Sequence, residues 1–225
     1  YIMNIEKVND FWLPSDDGQI EQWRKKGTPF MQDKCLNNFV KYCDTQNKKF
    51  KTVLDVGAWC GTWSKTIQPY CKRVIAFEPD KTNFECLQKN MGPFNHVTCN
   101  RLAIGDKLCN VSLTQESATQ NTRIEKESGD IQDVQMFNID YWNYDDVDMI
   151  KIDVEGYEMR VLEGANKTLT FNDENQSNVQ YIMVELNHNT ERYNSSSVEV
   201  KNHITKNLGF KILINIWPDI IYYRA

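Results

Sequence analysis

From residue 52 onward, short apolar runs rich in β-branched residues alternate with stretches whose apolar positions recur every three or four residues. The runs are TVLDVG, RVIAFEP, VTCNRLAI, VDMIKIDV, QYIMVEL, FKILINI and IIYYR, and helical patterns such as DKTNFECLQKNM, GYEMRVLEGANKTL and SVEVKNHITKNLG fall between them. Strands apolar on both faces and separated by helices predict a doubly wound parallel sheet. The last two runs are joined only at WPD, too short for a parallel crossover, so they must pair antiparallel. The pattern therefore predicts an α/β fold, a mostly parallel seven-stranded sheet with an antiparallel C-terminal hairpin and helices on both faces.

The flanking segments read differently. Met31, Cys35, Phe39, Val40 and Cys43 recur at helical spacing and predict an amphipathic helix over 31–45. FWLPSDDGQ predicts a short extended segment and a tight turn at Asp-Asp-Gly. These pieces are too short for a core of their own, so residues 1–50 are expected to be an N-terminal cap on a catalytic domain spanning 51–225. Residues 114–135 are polar and aperiodic, which predicts a mobile or substrate-facing insertion after the third parallel strand.

Composition narrows the function classes. A net charge of −5 argues against nucleic acid as a partner, because phosphate binding needs a basic face. The seven cysteines form no CxxC pair and no zinc-spaced cluster, and so read as reduced thiols of a cytoplasmic protein. No run approaches the roughly 20 apolar residues of a membrane span. Oligomeric state is not legible.

The first strand runs into Asp55, Gly57 and Gly61 in a D-x-G-x-x-x-G turn, where glycine permits positive φ and close approach to the main chain. A dinucleotide fingerprint needs G-x-G-x-x-G, and its middle glycine is absent. The second strand ends in Glu78, placed to accept hydrogen bonds from ribose hydroxyls. An adenosine ligand without a pyrophosphate cradle follows, which S-adenosylmethionine fits better than NAD. Glycine that merely packs a helix on a strand is the competing reading.

LDVGAWCG, FEPD and VDMIKIDVEGYEMRVLEGA together resemble the FkbM family of S-adenosylmethionine-dependent methyltransferases, from about Val53 to the C-terminus. The resemblance implies a class I, Rossmann-like methyltransferase fold and methyl transfer to an oxygen of a sugar, glycan or small natural product. It places Asp55, Gly57, Ala58 and Gly61 around the methionine end of the cofactor, Glu78 on the ribose, and Pro79, Leu102 and Ala103 near the adenine; Trp59, in the same turn, is a further cofactor-binding candidate. Asp153 falls at the end of the fourth strand, beside the transferable methyl.

Methyl transfer to a hydroxyl requires an oriented acceptor and removal of a proton. Asp153 is the first candidate for base or anchor; Glu185 and His188, at the end of the fifth strand, are the others. Glu155 shares that side only if the strand continues past it. Asp153 with Glu185 could instead hold a divalent cation, though no metal ligand is assigned from spacing. Lys151, inside an apolar strand, reads as one half of an ion pair with Glu185 or Asp153, and Glu158 and Arg160 read as solvated helix-face charges. An alternative is a non-catalytic cofactor- or partner-binding module, because the family generally has Asn where Trp59 stands. The indole either packs on the N-terminal cap or lies over the sulfonium.

Overall fold

The computed structural model describes residues 5–15, 17, 20–26, 34–115, 122–128, 134–170 and 178–224. Strands β1 (Ile5–Val8) and β2 (Phe11–Pro14) form an antiparallel hairpin, followed by helices α1 (Ile20–Lys26) and α2 (Lys34–Thr45). A tight turn joins β1 and β2. Asn9 and Asp10 both take positive φ, at 50° and 65°, as a two-residue turn between twisted strands requires. Asp16, Gly18 and Gln19 of the expected turn, and Met31 of the expected helix, lie outside the described residues.

The main sheet comprises β3 (Phe50–Val56), β4 (Cys71–Phe77), β5 (Val97–Asn100), β10 (Val147–Ile152), β11 (Tyr181–Glu185), β12 (Lys211–Ile216) and β13 (Asp219–Tyr223), in the order β12-β13-β11-β10-β3-β4-β5. β13 runs antiparallel to both of its neighbours, and the remaining pairings are parallel. This is the predicted mostly parallel sheet with its closing hairpin. Successive strand residues feed opposite cores. Leu54, Ile75, Ile150 and Ile182 pack with Val161 and Leu162 on one face, while Val53, Val74, Met149 and Met183 pack with Phe39 and Trp63 on the other.

The helices between these strands are α3 (Thr62–Ile67), α4 (Lys81–Met91), α5 (Glu158–Glu163), α6 (Asn166–Leu169) and α7 (Ser197–Asn202). Asp80 caps α4 through the N–H groups of Thr82 and Asn83, each at 2.9 Å.

Two expectations need correcting. VTCNRLAI is not one strand: β5 ends at Asn100, and Ala103–Ile104 (β6) leaves for a second sheet. That sheet adds β7 (Cys109–Gln115), β8 (Thr122–Ser128) and β9 (Val134–Phe137) in the order β6-β9-β7-β8. The described residues of the 114–135 insertion thus belong to strands, and of the two readings offered for it the cavity-facing one holds for Thr122, Arg123 and Ile124. Val111, Val134 and Met136 of this sheet pack on Tyr157, so packing against a neighbouring element compensates for weak apolar periodicity.

Candidate active site

The carboxyl ends of β3, β4, β10 and β11 open onto a cavity of about 470 Å³. Its wall includes Gly57, Ala58 and Trp59 from the β3–α3 turn, Glu78 and Pro79 after β4, and Leu102 and Ala103. Asp153 and Glu185 also line it, so the structure gathers nine of the twelve candidate cofactor-binding and catalytic residues. Asp55 and Gly61 do not line it. His188 opens the two-turn 3₁₀ helix His188–Tyr193 that follows β11, and its side chain lies outside the described residues.

The glycines of the turn are required by protein contacts. A Cβ on Gly57, at φ +77°, would sit 1.7 Å from the Asp153 carbonyl oxygen. At Gly61, φ +88°, it would meet Leu87 Cδ1 at 2.8 Å, where α3 packs on α4. Close packing, the competing reading, thus accounts for Gly61. The N–H groups of Gly57 and Ala58 both donate to the Phe77 carbonyl, at 3.0 and 2.9 Å, tying the turn to the end of β4. Trp59, at φ +48°, is a left-handed non-glycine residue whose ring meets Trp23 edge-on at 5.7 Å. The indole does pack on the N-terminal segment while still lining the cavity.

Glu78 is buried, and its carboxylate accepts from the N–H groups of Trp59 (2.8 Å) and Asp80 (3.0 Å). Burial nevertheless pushes it up to about 7.

Lys151 and Asp55 are register neighbours on β10 and β3, and both are buried. The ammonium reaches Asp55 Oδ1 at 3.2 Å and Asp153 Oδ2 at 3.3 Å, and donates to the Gly57 carbonyl at 2.5 Å. Burial opposes its charge, but Asp55 and Asp153 together outweigh that and hold it above the ordinary lysine range. Ser64 donates to the other Asp55 oxygen at 2.6 Å. Of the two partners expected for Lys151, Asp153 is present, and Asp55 takes the place of Glu185.

Sequence reasoning missed Asp219 and Arg123, which line the far wall together with Asp153, Glu185 and Glu155, the last expected there only if its strand continued. Asp219 is the register partner of Glu185, so the WPD hairpin could have revealed it. The charge of Asp153 first, and then burial, push Glu185 up to about 9. Glu155 adopts φ +54° just before Gly156, and its Oε2 accepts from Asn189 Nδ2 at 2.8 Å and Asn187 Nδ2 at 3.2 Å. Burial, and then the Asp153 charge, raise it to about 6 against those amides. Glu158 is not a solvated helix charge. It is 1% exposed, accepts from the Gly156 N–H at 2.9 Å, and is raised by burial to about 7. It holds the 153–156 turn from within, because the first turn of a helix has N–H groups nearby to satisfy a carboxylate. Arg160 is a half-exposed partner of Glu163 and Asp106, as expected.

Among the described residues, no group of three or more His, Cys, Asp or Glu side chains is arranged to hold a metal ion, and no helix is long and apolar enough to cross a membrane.

The strand order, with one antiparallel strand inserted beside β11, and a cavity at the carboxyl ends define a class I methyltransferase fold. A protein provisionally described as a caffeoyl-CoA O-methyltransferase, from Staphylococcus aureus, shares the fold with a TM-score of 0.54 at 13% identity, over 92% of this chain and 90% of that one. A methyltransferase from Geobacter sulfurreducens superposes with a TM-score of 0.49 at 15% identity, over 91% and 86% of the two chains. No curated protein matches the sequence. Residues 45–212 match the methyltransferase FkbM domain, and the chain belongs to that family.

Proposed function

We propose that the protein transfers a methyl group from S-adenosylmethionine to a hydroxyl of a sugar, glycan or small natural product. The observation that carries this reading is one cavity whose wall combines Glu78 and the Gly57–Trp59 turn with Asp153, Glu155 and Glu185. The residues fit the cofactor: a buried carboxylate at the end of β4 suits ribose hydroxyls, and a left-handed turn presses against the cavity. S-adenosylmethionine supplies an electrophilic methyl group.

The chain's own part is to orient the acceptor and take its proton. Asp153 is held by Lys151, and Glu185 keeps its proton until about pH 9. Glu155 is better suited as the base. Both asparagine amides converge on its Oε2, leaving Oε1 without a hydrogen-bond partner among the described residues. Its value of about 6 leaves it ionised at neutral pH and still basic enough to take a proton. Its left-handed backbone is strain of the kind that functional positions retain.

The test is methyl-labelled S-adenosylmethionine offered with a panel of methyl glycosides and aliphatic and phenolic alcohols. Glu155→Gln should lower kcat by about a hundredfold or more while leaving cofactor affinity within about twofold. Full activity in that variant would return the role to Asp153 or His188. A wild-type protein that binds the cofactor yet methylates no hydroxyl would favour the non-catalytic module.

A further inference from the structure

We infer that Arg123, carried to the cavity by the second sheet, is a positioning residue for Glu155, its guanidinium supplying the positive charge that balances that carboxylate. The inference rests on the reading of Glu155 as the base and adds to it a residue from outside the main sheet.

The placement of Arg123 follows from its strand. Thr122, Arg123 and Ile124 are consecutive on β8, and all three line the cavity. Side chains along a strand alternate between faces, so three in a row set the edge of the strand against the cavity. β8 is the outer strand of its sheet and pairs with β7 alone. That edge is fastened. The Tyr193 hydroxyl donates to the Ile124 carbonyl at 2.5 Å, and its ring meets Tyr157 edge-on at 4.9 Å. Tyr193 ends the 3₁₀ helix that contains Asn189 and is capped by Asn187, the two residues whose amides hold Glu155. One short segment, 187–193, therefore grips Glu155 at one end and the strand carrying Arg123 at the other.

Charge gives this arrangement its chemistry. Arg123 is 8% exposed, and a guanidinium so buried requires negative charge beside it. Lys151, the other cation on the wall, is already matched by Asp55 and Asp153. Around Glu155 stand Asp153 on its own turn, Glu185 at the end of β11, Tyr193 on the 187–193 segment and Arg123 on β8. Asp153 opposes a charged Glu155, and Glu185 and Tyr193 keep their protons at neutral pH. Arg123 is the member of that set which favours the charge. The asparagine amides fix where the carboxylate points, and the arginine keeps it ready to accept a proton.

The test is an NMR titration of protein with isotope-labelled glutamate carboxyls, the Glu155 signal being identified by its loss in Glu155→Gln. Arg123→Met should raise the Glu155 midpoint by about one unit, and Arg123→Lys, which restores the charge, should recover at least about half of that shift. Tyr193→Phe, which removes only the fastening hydroxyl, should move the midpoint in the same direction, and it carries the test should Arg123→Met not fold. In the methyl-transfer assay the acid limb of kcat should move with the midpoint, while S-adenosylhomocysteine affinity stays within about twofold. A midpoint unchanged or lowered in Arg123→Met, or shifted equally in Arg123→Lys, would overturn the assignment. Full activity in Glu155→Gln would instead remove the base reading, and the titration distinguishes the two failures because it does not depend on turnover.

Discussion

A carboxylate that receives hydroxyl hydrogen bonds does so best when ionised, and burial places the Glu78 midpoint at about 7. Hydroxyls donating to it would stabilise the ionised form, so ligand binding should lower its midpoint and release a proton. The direction is then fixed. Affinity for S-adenosylhomocysteine should be constant above about pH 8 and fall as pH drops through 7, by up to about tenfold per unit. Glu78→Gln should bind about ten- to hundredfold more weakly at pH 8 and lose the dependence between pH 6 and 8. Calorimetry across that range checks both statements, and a pH-independent wild type would mean that the ribose lies elsewhere.

At the scale of elements, the β3–α3 turn separates two uses of glycine that look alike in the sequence. Gly57 faces a fixed main-chain carbonyl on the strand-to-turn passage after β10, whereas Gly61 faces the flexible ends of Leu87 and Met91 on α4. An added methyl group must push backbone apart in the first case and only repack side chains in the second. Gly57→Ala should therefore cost about 3 kcal/mol or more, and Gly61→Ala about 1–2 kcal/mol, chiefly for its positive φ. Urea unfolding midpoints should rank them in that order. The sequence carried the strands of the main sheet because their periodicity is set by burial on both faces, and it carried the β12–β13 hairpin because chain length forbids the alternative. It did not carry the β6-β9-β7-β8 sheet, whose strands are half polar and gain their order from Tyr157 and its neighbours. Glu158 was illegible for a related reason: on a helical wheel it is a charge, and only the folding back of the 153–156 turn buries it. The Gly57–Trp59 turn, Glu78 and Pro79 were legible as neighbours in space because they follow strands directly. The far wall was not, since Asp219 and Arg123 reach it from distant parts of the chain.

The whole molecule keeps an unusual electrostatic arrangement at the far wall, with Asp153, Glu155, Glu185 and Asp219 sharing one cavity. Glu78, Glu155, Glu158 and Glu185 all titrate above the ordinary glutamate range, at about 7, 6, 7 and 9. Each is protonated more readily in the folded chain than in the unfolded one, so stability falls as pH rises from about 4.5 through those midpoints. For Glu185 the loss begins near 4.5, the unfolded value, and is complete only above about 9. Glutamine has the shape of the protonated acid and nothing to ionise in the unfolded chain. Glu185→Gln should therefore match wild type near pH 4 and exceed it at pH 8 by about 1–2 kcal/mol, or roughly 3–6 °C in Tm. Glu185 keeps some solvent contact, which screens the effect. Thermal unfolding from pH 4 to 9 is the measurement. A gain that is equal at every pH would trace the effect to packing, whereas a gain that opens with rising pH would show that the cavity retains its carboxylates at the expense of the fold.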